Sequence, residues 1–333
     1  MNHLPIYSDI ENAEKLLRKN SIKTPLLESS LLNEALGGRI LIKPECLQRT
    51  GSFKFRGAFN KISNIEQNKL KNGVVAYSSG NHAQGVAHAA QLFGISATII
   101  MPNTAPAVKK QKTKEYGATV IEYDIQSESR EKLGQAISEE TGAILIKPYD
   151  DPYVIAGQGT VGIEICRDLN VIAVKPDQLL SPCGGGGLIA GISLATHQHF
   201  PDCKIFSCEP EGFDDTLRSL ESGVRVSNDP GNSSICDAII TPTPGELTYQ
   251  INEKHLSRGI CVTDEQVLNA MKVAFEHFNI VVEPGGAVAL AAVISSNVDV
   301  TNKTTIVICS GGNVDSSLFA RCLTRDITFK HIT

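Results

Sequence analysis

The stretch VVAYSSGNHAQGVAHAAQLFGISATII, residues 74–100, shows how this chain folds. Its first four residues form the short apolar run of a buried strand, and residues 82–93 have the spacing of a helix that Gly94 ends. Residues 97–100 form a second, β-branched run. A strand, a helix and a strand in this order predict a parallel pair, because the crossover helix returns the chain to the starting edge of the sheet.

The same alternation continues towards the C-terminus. Further strands are predicted at residues 119–121, 143–146, 178–180, 204–207 and 305–308. Further helices are predicted at residues 107–116, 128–141, 188–199, 263–278 and 287–295. Pro148 and Pro152 interrupt the pattern and mark a crossing between two units. The sequence therefore predicts an α/β protein with two open, mostly parallel twisted-sheet domains, helices on both faces and a ligand cleft between the domains.

The bulk composition excludes several classes of protein. The chain has 333 residues, enough for two packed domains, and its net charge of −5 and lack of tryptophan argue against a nucleic-acid partner. It contains no run of about 18 apolar residues, and its polar first 20 residues do not resemble a secretory signal. Nine cysteines without a Cys-x-x-Cys pair indicate free thiols in a reducing compartment, so we expect a cytoplasmic protein without a membrane partner.

The segment SFKFRGA, residues 52–58, sets Lys54 between two phenylalanines just before a helical stretch. Flanking apolar rings remove water from an ammonium group, which lowers its pKa and leaves an amine that can act as a nucleophile. Most lysines in such a setting bury only the aliphatic stem. Three glycine-rich loops favour the nucleophile here, because each follows a predicted strand and all three could face one cleft.

Four consecutive glycines, residues 184–187, follow a predicted strand and precede a helix that begins near Leu188. Without Cβ atoms their N–H groups can close around an anion, and the helix N-terminus adds partial positive charge, so a phosphate is the expected ligand. A flexible turn is the plain alternative. The spacing Gly-x-Gly-x-x-Ala from Gly185, with Glu209 beyond it, also fits a dinucleotide fingerprint, which leaves an NAD-dependent oxidoreductase as an alternative of another class.

Two further loops carry polar side chains after predicted strands. SSGNH, residues 78–82, offers hydroxyl, amide and backbone donors that suit a carboxylate or a ring hydroxyl, with helix capping as the alternative. Within it, His82 is expected to start a helix rather than to act as a base. SGGN, residues 310–313, follows the last strand, where its hydroxyl could reach a cofactor or only form a turn.

A cluster of four acids, EPEGFDD at residues 209–215, follows another predicted strand. Carboxylate and carbonyl oxygens so arranged suit a hard cation such as Mg²⁺ or Ca²⁺. The alternative is that these acids only complement the dipole at the start of a helix.

In this order, the motifs resemble those of the fold-type II family of pyridoxal-phosphate enzymes, specifically the serine/threonine dehydratases and serine racemases. The resemblance covers nearly the whole chain and rests on residues 52–58, 78–85, 155–160, 184–187, 209–210, 283–287 and 310–315. It implies a large domain, residues 1–66 with 152–333, that holds the cofactor. It also implies a small domain, residues 67–151, and an active site in the cleft between the two.

The resemblance assigns a role to each matching residue. Lys54 would hold pyridoxal phosphate as a Schiff base, Phe53 would pack near its ring, and Ser310 would meet its pyridine nitrogen. The ring hydroxyl would be bound by Asn81. The phosphate would lie on Gly184, Gly185, Gly186, Gly187 and Leu188. The substrate carboxylate would be bound by Ser78, Ser79, Asn81 and His82. The divalent-cation site of the racemase branch is matched by Glu209, Asp215 and the carbonyl of Phe213.

The activity that the resemblance implies is that of an L-threonine/L-serine dehydratase, an ammonia-lyase. Lys54 would remove the Cα proton of a small hydroxy amino acid, and loss of the β-hydroxyl would give 2-oxobutanoate or pyruvate plus ammonia. A homodimer is expected from the family. The chain stops about a dozen residues after Arg321, so a C-terminal regulatory domain is not expected.

Two variants of the same chemistry stay open. Racemases of this family carry serine at position 79 as a second acid/base, many threonine dehydratases carry alanine there, and some related dehydratases also have the serine. Ser79 therefore favours serine racemase as an alternative, whereas the segment PYDD, residues 148–151, lacks the asparagine that racemases have near Tyr149. A 3-hydroxyaspartate ammonia-lyase is the other variant.

Overall fold

The computed structural model describes residues 4–105 and 107–324. The strands of these residues are β1 (Leu27–Glu28), β2 (Arg39–Pro44), β3 (Val74–Tyr77), β4 (Ala97–Pro102), β5 (Thr119–Tyr123), β6 (Ile144–Leu145), β7 (Gln178–Pro182), β8 (Lys204–Pro210), β9 (Arg258–Val262) and β10 (Thr304–Cys309). The helices are α1 (Tyr7–Leu17), α2 (Ser30–Leu36), α3 (Lys54–Ser63), α4 (Gln67–Leu70), α5 (Asn81–Phe93), α6 (Ala107–Glu115), α7 (Arg130–Thr141), α8 (Pro152–Val171), α9 (Gly187–His199), α10 (Asp215–Ser222), α11 (Glu246–His255), α12 (Asp264–Phe278), α13 (Pro284–Ile294) and α14 (Ser316–Leu323).

The strands form two separate sheets. The larger sheet has the order β1-β2-β10-β7-β8-β9, and the smaller has the order β5-β4-β3-β6. All neighbouring strands are parallel except β1 and β2. The smaller sheet takes its strands from residues 74–145, and the larger sheet takes strands from the chain on both sides. Each sheet, together with the elements packed against it, is called the smaller or the larger lobe. The predicted fold class is therefore confirmed, whereas the domain bounds at residues 66/67 and 151/152 stay a prediction.

The burial of strand β10 shows how the larger sheet is covered. Ile306 and Ile308 pack on one face with apolar residues of α8 and α9, and Val307 and Cys309 pack on the other face with α12 and α13. The run TTIVIC is almost continuously buried because both faces are covered. Helix α13, buried along nearly its whole length, lies against this sheet and supports the ends of the central strands.

The carboxyl ends of β3, β7 and β10 lie around one cleft between the two sheets. The loops that follow them, residues 78–80, 183–186 and 310–313, all contribute to its lining. Parallel pairing brings the ends of neighbouring strands to one edge of a sheet, which is where ligands bind in open α/β folds. The three glycine-rich loops therefore face the same space, as the sequence predicted.

All nine cysteines are free thiols, and seven of them are buried. This agrees with the free thiols that the cysteine pattern predicts. Among the helices of residues 4–105 and 107–324, none combines the length and apolar character that a membrane crossing needs.

Candidate active site

Lys54 is the first residue of α3 and lines the cleft. Its Nζ donates a hydrogen bond to the carbonyl oxygen of Pro148 at 2.8 Å and lies 5.1 Å from the centre of the Phe53 ring. Burial lowers the pKa of Lys54 from 10.5 to about 8, although the carboxylate of Glu283 acts in the opposite direction. The amine is therefore available as a base or nucleophile at mildly alkaline pH.

The backbone of Lys54 is held by close packing with the smaller lobe. Gly85 of α5 lies directly against it, since a Cβ at Gly85 would be 3.0 Å from the carbonyl carbon of Lys54. Two residues further along α3, the guanidinium of Arg56 is fully buried and pairs with Glu45 and Glu164. These contacts fix the first turn of α3, and so the direction in which the lysine side chain leaves the helix.

The glycine loop 184–187 forms a close-packed cradle at the N-terminus of α9. Gly186 has a φ of +88°, which favours glycine, and a Cβ at Gly185 would lie 2.4 Å from the ring of Tyr149. The hydroxyl of Thr248 donates to the carbonyl oxygen of Gly185 at 2.6 Å, which fixes the loop from behind. Backbone N–H groups at a helix N-terminus suit a phosphate, so this loop fits the phosphate of pyridoxal phosphate.

The loop after β3 leads into α5, whose first residue is Asn81. The side chain of Asn81 donates to Glu283 Oε1 at 2.5 Å and accepts from Asn313 Nδ2 at 2.7 Å, which ties this loop to the segment after β10. Ser78, Ser79 and Gly80 line the cleft beside it. The loop brings hydroxyl groups and a helix N-terminus together, which suits a carboxylate.

His82 is buried behind this loop, and its Nε2 donates to the carbonyl oxygen of Ile146 at 2.8 Å. Burial, together with the charge of Lys54, lowers the pKa of His82 to about 3. The imidazole is therefore neutral at physiological pH and cannot serve as a general acid there. A pKa this low also makes the imidazole a weak base, and the expectation that His82 is not a catalytic base stays a prediction.

Ser310 lies at the carboxyl end of β10, where it is buried at the floor of the cleft. Its carbonyl oxygen accepts the N–H of Phe53 at 3.2 Å, and Ser52 forms a bridge with Gly311. The segment before Lys54 is therefore fastened to the segment that carries Ser310. The cleft thus brings together Phe53, Lys54, Ser78, Ser79, Asn81, His82, the glycines 184–187, Leu188 and Ser310.

Several residues of the cleft have no role predicted from the sequence. Glu283 faces Asn81, and burial raises its pKa to about 7. The Tyr149 ring lies over Gly185, and burial raises its pKa to about 12. Arg130, Lys109 and Asp237 also line the cleft. An acid directly before a proline at a helix start was a visible signal for Glu283, whereas nothing local in the sequence indicates the other four.

The predicted cation residues lie away from the cleft, at the end of β8. Glu209 is fully buried, and its carboxylate accepts the N–H groups of Thr216 and Leu217, both at 2.9 Å. Asp215 is also buried; its Oδ1 accepts from Asn228 at 2.6 Å, and its Oδ2 has no partner in the described residues. No group of three or more His, Cys, Asp and Glu side chains within those residues is arranged for a metal.

Burial raises the pKa of Asp215 to about 6, and burial followed by the charge of Asp215 raises the pKa of Glu209 well above its usual value. Of the carboxylate oxygens of Glu209 and Asp215, the Oδ2 of Asp215 is buried and has no partner among the described residues. Because Glu209 is engaged by α10, it does not serve as the ribose-binding acid of a dinucleotide site.

The fold and the cleft are typical of an enzyme in which a desolvated lysine amine and a glycine loop that suits the phosphate of a cofactor line the same cleft. Residues 17–311 match the family described as "Pyridoxal-phosphate dependent enzyme", and the chain belongs to this family. Its cofactor is therefore pyridoxal phosphate, and an NAD-dependent oxidoreductase has no support.

Individual relatives are similar over almost the whole chain. The L-threonine ammonia-lyase of Thermotoga maritima is 42% identical over 96% of this chain and 78% of its own length. The L-threo-3-hydroxyaspartate ammonia-lyase of Saccharomyces cerevisiae is 40% identical over 95% of this chain and 96% of its own length. The solved structure of maize serine racemase is 36% identical, with a TM-score of 0.90 over 96% of this chain and 97% of its own.

Proposed function

We propose that the chain is a pyridoxal-phosphate-dependent L-threonine/L-serine ammonia-lyase, which yields 2-oxobutanoate or pyruvate plus ammonia. The observation that carries the proposal is the position of Lys54, whose desolvated amine lines the same cleft as the glycine cradle and the loop 78–82. The L-threonine ammonia-lyase of Thermotoga maritima, at 42% identity, supports this choice of reaction.

Each part of the cleft has a task in this reaction. The cradle binds the cofactor phosphate, and the loop 78–82 with the N-terminus of α5 binds the substrate carboxylate. When bound, pyridoxal phosphate withdraws electrons from the substrate Cα and so makes its proton acidic. Ser310 offers the pyridine nitrogen a neutral hydroxyl instead of a carboxylate, which limits this withdrawal and suits elimination.

Lys54 supplies the base. With a pKa of about 8, a useful fraction of its side chain is the free amine near neutral pH, and this amine takes the Cα proton. Departure of the β-hydroxyl with a proton completes the elimination, and the released enamine reacts with water to give the 2-oxo acid and ammonia. Lys54 holds the cofactor before the substrate binds and then acts as the base. Leu188 and the glycines 184–187 keep the cofactor in place while the lysine changes from the first role to the second.

The test compares Lys54→Ala with Lys61→Ala, a lysine of the same helix that pairs with Asp151 at 2.6 Å. Purified wild-type enzyme should release ammonia and a 2-oxo acid from L-threonine or L-serine, and Lys61→Ala should do the same. Lys54→Ala should lose this turnover, and borohydride reduction followed by mass spectrometry should find the cofactor on residue 54 of the wild type. Full turnover by Lys54→Ala would refute the proposal.

Arg130 favours a second candidate, a 3-hydroxyaspartate ammonia-lyase. Its guanidinium lies 5.7 Å from the centre of the Tyr77 ring, one residue before the carboxylate loop, and its Nε donates to Glu131 at 2.8 Å. Within the described residues, nothing accepts a hydrogen bond from its two terminal nitrogens, so they could bind a second substrate carboxylate. The relative from Saccharomyces cerevisiae is named for this substrate.

Arg130→Met separates the two candidates. If 3-hydroxyaspartate is the substrate, its kcat/KM should fall by about tenfold or more in the variant, while that of L-serine changes little. Equal effects on both substrates would favour the first candidate.

Serine racemase is a third outcome of the same chemistry, supported by Ser79 in the cleft and by the similarity to maize serine racemase. A chiral assay on L-serine decides it, since D-serine must form at a rate comparable with pyruvate. Ser79→Ala should then abolish D-serine formation and spare pyruvate.

We also propose that Glu209, Asp215 and the carbonyl of Phe213 bind Mg²⁺ or Ca²⁺. The two buried acids repel each other, and a cation between them would remove that repulsion. Either ion should raise the melting temperature of the wild type and of Asp229→Asn, an exposed control, but not of Asp215→Asn. An unchanged melting temperature of the wild type would argue against the site.

The oligomeric state and the cellular location of the protein are also proposals. A homodimer is proposed from the resemblance to the family, and sedimentation should find twice the chain mass. A cytoplasmic location is proposed because all nine cysteines are free thiols.

A further inference from the structure

Gln158 carries a buried side-chain amide without a hydrogen-bond partner. The residue is 1% exposed, and neither Nε2 nor Oε1 is paired with any of the described residues. Buried primary amides are normally paired, because an unpaired one loses its bonds to water and gains none in return. The amide therefore calls for a partner that this part of the chain does not supply.

The position of Gln158 is set by the glycines on either side of it in α8. A Cβ at Gly157 would lie 2.6 Å from the carbonyl oxygen of Arg56, and a Cβ at Gly159 would lie 2.8 Å from that of Gly191. The first contact locks α8 against α3, the helix of Lys54, and the second locks it against α9. The backbone of Gln158 is therefore fixed between the nucleophile helix and the cradle helix.

The side chain of Gln158 bridges the same two helices. A Cβ at Gly57 of α3 would lie 3.1 Å from Gln158 Cγ, and a Cβ at Gly187 would lie 2.8 Å from Gln158 Oε1. Gly187 is the first residue of α9 and the last glycine of the cradle. The unpaired amide thus lies at the helix end proposed to bind the phosphate.

We propose that Gln158 is a further residue of the phosphate site and that its amide forms hydrogen bonds there when a phosphate oxyanion is bound. Two other side-chain donors close to the cradle, Thr248 Oγ1 and Asn252 Nδ2, already donate to the carbonyl oxygens of Gly185 and Gly186. A half-turn about the last side-chain bond exchanges Oε1 and Nε2 with little change of shape, so the amide can present N–H groups towards the anion. The inference rests on the proposed role of the cradle.

The test measures cofactor affinity and stability together in Gln158→Met, which keeps the length of the side chain and removes its polar group. Apo wild type and variant are titrated with pyridoxal phosphate and with pyridoxal, which has the same ring and aldehyde but no phosphate. We expect the Kd for pyridoxal phosphate to rise about tenfold in the variant, with the Kd for pyridoxal unchanged. We also expect the apo variant to melt at the same or a higher temperature, because it no longer buries an unpaired amide.

Ser207→Ala is the matched control, because Ser207 Oγ is also buried without a partner in the described residues but lies on β8. It should leave the Kd values for both ligands unchanged. Gln158→Glu keeps the shape of glutamine and adds a negative charge, so it should weaken pyridoxal phosphate more than methionine does, and it keeps the inference testable if Gln158→Met folds poorly.

A Kd for pyridoxal phosphate within twofold of wild type in Gln158→Met, or an equal loss for both ligands, would overturn the inference while leaving the cradle intact. A wild type that binds pyridoxal as tightly as pyridoxal phosphate would overturn the cradle, and this inference with it. The two failures are therefore distinguishable in one set of titrations.

Discussion

At the scale of single residues, burial is what makes the amine of Lys54 available as a nucleophile and base. A buried ammonium loses hydration, and this lowers its pKa from 10.5 to about 8. Cofactor capture by apo enzyme requires the free amine, so its rate should rise with pH through a midpoint near 8. Stopped-flow absorbance after mixing with pyridoxal phosphate measures this rate. A midpoint near 10 would show that the amine is solvated.

Glu283 should set the position of that midpoint. Its carboxylate favours the ammonium form of Lys54 and so raises the pKa of the lysine against the effect of burial. The pKa of Glu283 itself is about 7, so the carboxylate is mostly charged at pH 8. Glu283→Gln removes this charge, and the midpoint should move below pH 8. Glu66→Gln, an exposed control, should leave the midpoint in place. A higher midpoint in Glu283→Gln would contradict the inference that this carboxylate raises the pKa of Lys54.

At the scale of elements, a buried ion cluster holds α3 in place. Arg56 pairs with Glu45 at 2.8 Å and with Glu164 at 2.7 Å, and Lys43 pairs with Glu164 at 2.6 Å. Glu164→Ala removes the ion-pair partner of the buried Lys43 and one of the two partners of Arg56, so the free energy of unfolding should fall by about 3–5 kcal/mol. Urea unfolding measures it. Arg18, an exposed residue that pairs with Glu14, supplies the control, since Arg18→Ala should have a much smaller effect.

A substitution in the cradle tests whether the backbone of the glycine loop binds the cofactor. A Cβ at Gly185 would lie 2.4 Å from the ring of Tyr149, so Gly185→Ala must displace either the ring or the loop. We expect the Kd for pyridoxal phosphate to rise at least about tenfold, with far-UV circular dichroism unchanged. Gly231→Ala, in an exposed loop, should bind as the wild type does. Unchanged affinity in Gly185→Ala would show that the loop can accommodate a methyl group at position 185 without any loss of cofactor binding.

Individual elements differ in how far the sequence predicts them. Helix α5 was predicted at residues 82–93 and is observed at Asn81–Phe93, because its periodicity and the left-handed Gly94 are local signals. Helix α8, Pro152–Val171, was not predicted. Its glycines lower intrinsic helix propensity, and they are needed only because α3 and α9 pack against α8 at close range. A requirement set by distant helices leaves no periodic signal in the segment itself.

At the scale of the whole molecule, the sequence predicts which loops meet but not which side chains complete the cleft. Three loops after parallel strands must face one cleft, and they do. Arg130 and the pair of Lys109 with Asp237 were not predicted. The last two residues are 128 positions apart in the chain and meet only because α6 lies beside the segment between α10 and α11. Such contacts depend on how the lobes are arranged, which no local pattern records.

This ion pair leads to a prediction about the movement of the lobes. Lys109 lies on α6 beside the smaller sheet, Asp237 lies in the larger lobe, and their Nζ and Oδ2 atoms are 2.6 Å apart in the lining of the cleft. Their side chains are 26% and 55% exposed, so the pair adds little to the stability of either lobe. We expect the pair to favour the arrangement in which both lobes line the cleft, and its loss to weaken substrate binding.

Asp237→Asn should therefore leave the urea midpoint unchanged and raise the KM for L-serine about two- to fivefold. The double variant Lys109→Asp with Asp237→Lys restores the attraction with the charges exchanged, so its KM should return towards that of the wild type. Because part of each side chain is exposed, 0.5 M salt, a concentration of the order that screens surface charges, should narrow the difference between wild type and Asp237→Asn. If the double variant binds L-serine no better than the single one, the two side chains act separately, and the arrangement of the lobes does not depend on their attraction.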